Sequence, residues 1–412
     1  MKNEKSVFFE ALRYPALWVG ALGYFVDLYD LVLFGAVRVA SLKSLGVPES
    51  ELLSTGAFLL NAQMGGLLLG GFVWGVLGDK KGRLTVLYGS ILLYSVAYLF
   101  NATVTSVSAY GFWRFLGGFG LAGELGGAVT LMAEILPKRA RGYGSTIIGL
   151  AGFLGALLAA TVAQVIPWRW AYASGGALGL LLLVVRLRSR ESDLFARAKE
   201  SQQKKGDLWQ LLAQPRLRLR FLKSLVIGLP IWLISGVLIY FAPELASEMG
   251  ILQPVSAAQA IFWSYAGTIF GDVLSGFVSQ QLKSRKKLIA ICLSLLTLAI
   301  LIYCFGLRGV SSSVFYATCF FMGLGTGYWA LFVLTTAEQF GTNLRATVAT
   351  SAPNIVRGAA IPLVALFRWG SPLFGATNSA FVLGLACLTI AGFSLYYLPE
   401  TYDSELDFLE PH

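Results

Sequence analysis

Six charged side chains fall inside long apolar runs of this chain: Asp27, Asp30, Arg114, Glu124, Asp272 and Arg357. A charge near a bilayer centre costs at least about 2.5–3.5 kcal/mol on insertion scales, so each needs a reason. Asp27 and Asp30 are three positions apart, on one helix face. Carboxylates that close repel one another, which suits a pair that must take up and release a proton. Arg357, after Asn354 in APNIVRGAAIP, offers a planar fork that fits a carboxylate or phosphate. It can equally pair with Asp272 or with helix-end carbonyls. Asp272, in GTIFGDVLSG, can bind a cationic group, pair with Arg357 or sit near a wet helix end. Glu124 follows small residues and faces either a cavity or a neighbouring helix. Tyr24, Tyr29, Trp232, Tyr240, Trp263, Tyr328 and Trp329 lie in the same runs. Singly each suits packing; as a group they fit a small-molecule site.

Chemistry of other kinds is missing from the pattern. The only histidine is His412, and Cys292, Cys304, Cys319 and Cys387 all sit in apolar runs without metal-ligand spacing. No nucleophile–base pair or nucleotide loop accompanies the acids. No enzyme, metal site or cofactor is expected.

The elements that carry these residues follow from composition. Of 412 residues, 56% are hydrophobic and 13% charged, and the mean hydropathy is +0.68. Soluble domains carry about 25% charged residues, so this is an integral membrane protein. Apolar runs of spanning length fall near 16–37, 54–78, 84–104, 107–132, 144–166 and 169–187, then 221–243, 256–281, 287–306, 312–337, 347–367 and 376–398. That predicts two six-helix bundles, 1–187 and 220–412, joined by a polar, basic cytoplasmic linker, 188–219. The first run contains Asp27 and Asp30 and has no small-residue cleavage site, unlike a removable leader.

Orientation comes from the basic residues. With the N-terminus inside, twenty-five of the 32 Lys and Arg are cytoplasmic, counting the central stretch from Arg186 to Lys223 among them, and five are outside. Both termini are therefore expected in the cytoplasm. The net charge of +10 is explained by an anionic leaflet and needs no nucleic acid.

The halves repeat one another. Glu134 and Arg141 are seven apart just past the fourth span, and Glu338 and Arg345 are seven apart just past the tenth. The loop GVLGDKKGR after span two, with Asp79 and Arg83, has a degraded counterpart, GFVSQQLKSR, ending at Arg285 after span eight. Parallel repeats put a substrate site at the midplane between the halves. The loop charges suit a cytoplasmic gate, since a bistable element needs only a few weak ion pairs; plain topology charge is the alternative.

The loop Gly75-x-x-x-Asp79-x-x-Gly82-Arg83 resembles the signature loop of the major facilitator superfamily. Arg114, Gly117, Gly120, Glu124, Glu134, Pro137, Arg141 and Gly142 resemble span four and the following loop of its metabolite:proton symporter and sugar-porter branches. The ending Leu398-Pro399-Glu400-Thr401 is similar to that of sugar porters. The resemblance implies an all-α fold of twelve transmembrane helices in an inner membrane, acting as a monomer by alternating access. It implies a proton-coupled symporter of a small metabolite, anionic if Arg357 meets it. In the resembled family a span-one aspartate pairs with the span-four arginine, and Tyr29-Asp30 matches that motif better than Asp27 does. Glu124 takes a proton- or substrate-linked role by the same resemblance. A uniporter, a proton-driven exporter and a non-transporting sensor are the alternatives; intact loop motifs count against the sensor.

Overall fold

A computed structural model describes residues 12, 14–81, 83–135, 141–188, 211 and 213–402. All regular structure among them is helical. The first half has α1 (Pro15–Ser44), α2 (Leu52–Lys81), α3 (Arg83–Asn101), α4 (Val107–Ile135), α5 (Arg141–Val165) and α6 (Trp168–Arg188), each continuous. α1 opens on Pro15, whose missing N–H costs nothing in a first turn.

The second half is more broken than its apolar runs suggest. It contains α7 (Pro215–Leu233), which begins inside the segment read as linker, a π-helical turn (Ile234–Ile239) and α8 (Ala242–Glu248). Then come α9 (Ala257–Leu282), α10 (Arg285–Leu301) with a second π turn (Ile302–Gly306), α11 (Ser312–Thr326) and α12 (Trp329–Glu338). α13 (Thr342–Gly358), α14 (Ala360–Phe374) and α15 (Ala376–Tyr397) complete it. Pro230 lies inside α7 and cannot donate to the preceding turn, and the π turn follows directly. Span ten breaks at Gly327, where a β-carbon would stand 2.3 Å from the Gly271 carbonyl carbon and 2.4 Å from the Asp272 nitrogen.

Nine helical stretches among the described residues are long and apolar enough to cross a membrane. α3, α4 and the α13–α14 pair bring the spans to the expected twelve. Two compact units result: Met1–Glu49 with Phe58–Lys204, and Ser50–Ala57 with Lys205–His412.

Each half is stitched by the same contact. A β-carbon on Gly66 would stand 2.0 Å from the Phe115 carbonyl oxygen, and one on Gly118 2.0 Å from that of Gln63. In the second half the distances are 2.1 Å from Gly267 to Phe320 and 1.9 Å from Gly323 to Ser264. The spacings Gln63–Gly66 and Ser264–Gly267 match, as do Phe115–Gly118 and Phe320–Gly323. Spans two and four therefore cross as spans eight and ten do, at a distance only glycine permits. On α5, Gly155 meets the Phe25 carbonyl and Gly152 the Tyr24 ring in packing of the same kind.

Candidate functional site

The first half holds a buried polar network built on α1, α2, α3, α4 and α6. Asp27 and Asp30 are both fully buried. Neither carboxyl oxygen of Asp30 has a hydrogen-bond partner among the described residues. Gly175 of α6 makes room for that carboxyl, since a β-carbon there would lie 2.4 Å from Asp30 Oδ1.

Arg114, 1% exposed, does not bond Asp30. Its Nε donates to the Leu59 carbonyl at 3.3 Å, its Nη1 to the Tyr172 hydroxyl at 3.1 Å and its Nη2 to Gln63 Oε1. The guanidinium also lies 3.8 Å over the Phe34 ring, an attraction strengthened by burial. Gln63 Nε2 donates to the Tyr98 hydroxyl at 3.1 Å, and Tyr98 donates to the Asp30 main-chain oxygen. The direct pair expected between Asp30 and Arg114 is replaced by Gln63 and Tyr98 in series. Tyr110 adds a 2.8 Å bond to Tyr172.

Glu124 has a partner that the sequence reading put elsewhere. Arg186 Nη2 is 2.5 Å from Glu124 Oε1, Arg186 Nη1 donates to Oε2 at 3.1 Å, and Nη2 also reaches the Val19 carbonyl at 3.1 Å. The charge count places Arg186 among the cytoplasmic basic residues; in the structure it is 1% exposed, on α6. The fork ties α1, α4 and α6 together. Gly23 leaves room beside it: a β-carbon there would lie 1.9 Å from Glu124 Oε1, so the pair would have to shift.

The second half has no counterpart to Arg114: the glycine-matched position is Cys319, buried and free. Asp272 Oδ1 accepts from the Ala330 N–H at 3.2 Å, taking up an orphan donor in the first turn of α12. The carboxylate thus serves the break in span ten rather than the Arg357 guanidinium. Arg357 is 1% exposed, in the last turn of α13, where the helix dipole favours a cation. Asn354, one turn earlier, is also buried.

The aromatic set divides. Tyr29 bonds the Ala171 carbonyl at 3.1 Å and Ser174 Oγ at 2.9 Å, and Tyr328 bonds the Ile227 carbonyl at 2.9 Å; both are ties between helices. Tyr24, Trp232, Tyr240 and Trp329 are buried, whereas Trp263 is 43% exposed.

At the loop ends, the side chains of Asp79, Arg83, Glu134, Arg141 and Arg345 lie outside the described residues. Glu338 is described: Arg285 Nη2 is 3.7 Å from its Oε1, and Thr401 donates to its Oε2 at 2.7 Å. Glu400 accepts from the Arg285 and Lys286 N–H groups at 2.9 and 3.3 Å and from the Ser284 hydroxyl.

A twelve-span helical chain with two repeated halves and a charged core in the first narrows the class, and comparison with known proteins decides it. The family model of the Major Facilitator Superfamily matches residues 20–365. This chain belongs to the Major Facilitator Superfamily. It is a transporter and an integral membrane protein. Among relatives in the superfamily, the probable 4-methylmuconolactone transporter of Cupriavidus pinatubonensis is 25% identical over 398 residues, spanning 93% of this chain and 90% of that one. The sialic acid transporter NanX of Escherichia coli is 26% identical over 385 residues, 90% of each. Among solved structures, the inward-open xylose transporter XylE from E. coli superposes with a TM-score of 0.71 at 17% identity, covering 95% of this chain and 97% of that one.

Within that frame, sequence reasoning missed Gln63, Tyr98, Tyr172 and Arg186. Only Arg186 left a signal: Glu124 in mid-span demanded a cation, and the nearest unassigned one stood at a span end.

Proposed function

We propose that this chain is a proton-coupled symporter carrying a small anionic metabolite by alternating access across the inner membrane, as a monomer with both termini in the cytoplasm. The Asp30 carboxyl carries the reading. Burying a carboxylate with neither oxygen hydrogen-bonded costs several kcal/mol unless it holds a proton. A group of this kind takes up a proton as its surroundings close and gives it up when water or Arg114 reaches it. Asp27 adds a second acid on the same helix. Glu124, held by Arg186, keeps α1, α4 and α6 in register around the pair.

Arg357 supplies the recognition of an anion, and Asn354 and Trp329 are its candidate neighbours in contacting substrate. A relative named for sialic acid supports an acidic substrate. Arg285, Glu338 and Thr401, with Asp79, Arg83, Glu134, Arg141 and Arg345, form the cytoplasmic gate. The test is uptake into proteoliposomes of labelled sialic acid, other organic acids and neutral sugars, with and without an imposed pH gradient. Accumulation of an acid only when the lumen is alkaline supports the reading. Equal accumulation without a gradient, or uptake of neutral sugars alone, overturns it.

A further inference from the structure

Gln63 is 0% exposed, and both ends of its amide are used. Its oxygen takes the Arg114 guanidinium and its nitrogen faces the Tyr98 hydroxyl. The opposite orientation would set an NH2 against the guanidinium, so the chemistry fixes which end points where. Arg114 therefore spends a donor on a neutral amide while the Asp30 carboxyl beside the same network has no hydrogen bond. In a water-poor core a guanidinium prefers a carboxylate to an amide, because charge-assisted bonds are about twice as strong. The arrangement favours a neutral Asp30.

We propose that Gln63 is the positioning residue of proton coupling: it holds Arg114 while Asp30 is protonated and yields it to the Asp30 carboxylate when the proton leaves. The idea rests on the reading of Asp30 as the proton carrier. Tyr98 lies between the two states, since it joins Gln63 to the Asp30 main chain. Other ionisable groups face Asp30. Asp27 and Tyr29 are on its own helix; Tyr94 and Tyr98 come from α3, Arg114 from α4 and Tyr172 from α6. The Glu124–Arg186 pair lies beyond Tyr94. α5 brings only neutral side chains among those described.

The experiment needs no substrate. Infrared difference spectra of the full-length protein in liposomes, recorded against pH, read the carbonyl band of a protonated carboxyl, and Asp30→Asn assigns it. Gln63→Leu removes the competing acceptor, so Arg114 settles on Asp30 and the band titrates at a more acidic midpoint, by about one pH unit, a tenfold change in proton concentration. Gln63→Glu keeps Arg114 and adds a negative charge, so the midpoint moves the other way. Opposite shifts from the two substitutions are the expected result; a packing role would lower stability in both and move neither midpoint. Tyr98→Phe, a smaller change, is expected to give a smaller acidic shift and covers a Gln63→Leu protein that fails to fold. If Asp30→Asn leaves the band intact, Asp30 is not the proton carrier and the proposal falls with that reading. If the band belongs to Asp30 but titrates as in the wild type in every relay variant, only the role of Gln63 is overturned.

Discussion

Arg186 and Glu124 form a two-toothed ion pair, 2.5 Å at its shorter arm, with side chains 1% and 0% exposed. They are 62 residues apart, and one sits at a span end while the other lies mid-span. Breaking a buried pair by removing one partner costs about 3–5 kcal/mol, since the remaining charge keeps its desolvation penalty. Glu124→Ala and Arg186→Ala should each lower the melting temperature of the solubilised protein sharply. Replacing both by leucine should recover much of that loss. Transport by the recovered double mutant would confirm a strut; a folded but uncoupled protein would return Glu124 to the proton pathway.

The span count, the duplication and the buried charges at Asp30, Arg114 and Glu124 were legible because each leaves a one-dimensional trace: apolar length, repeated spacing, or a charge where charges are costly. Arg186 was not, because hydropathy marks where a run ends and cannot say whether the last arginine turns outward to the headgroups or back into the bundle. Gln63 and Tyr98 were invisible for another reason. A neutral amide or phenol in a span carries no insertion penalty large enough to flag it, and its partner is set by how helices cross. The breaks at Gly327 and after Pro230 were hidden because both segments on either side remain apolar.

Coupling gives the next prediction. Asp30→Asn fixes the carboxyl in a neutral form, so it should abolish accumulation driven by a pH gradient while leaving substrate exchange, which requires no proton release. Counterflow against gradient-driven uptake in the same vesicles separates the two. Asp27→Asn should be milder. Accumulation at the wild-type level by Asp30→Asn would sink the assignment.

Asp272 and Arg357 are expected to act independently. Asp272→Ala strands the part-buried Ala330 N–H, at a cost up to the about 1–3 kcal/mol of a fully buried unsatisfied donor, and should lower stability without altering the preference for acids. Arg357→Lys loses the planar fork and should weaken binding of an acid before it affects folding. Asp272→Ala and Arg357→Ala should then add in melting free energy to within about 0.5 kcal/mol. A double mutant more stable than either single would mean that the two charges do compensate one another.

The segment after α15 is held through Glu400. Glu400 is partly buried, which alone would raise its carboxyl. The Ser284 hydroxyl and the N–H groups of Arg285, Lys286 and Thr401 outweigh that and hold it below the ordinary 4.5. A carboxyl depressed in the folded state adds stability that is present above its ordinary value and is lost as pH falls through the lowered one. The segment should therefore stay docked at neutral pH and loosen only below about pH 4.5. Thr401, next in line, donates to Glu338, the acid that Arg285 also approaches, so undocking removes a contact from the proposed gate. A spin label at Tyr402→Cys reports this through its mobility. It should be immobile from neutral pH down to mild acid and mobile in stronger acid, and Glu400→Gln should be mobile throughout. Equal mobility in Glu400→Gln and the parent at neutral pH would show that the carboxylate is not what holds the segment.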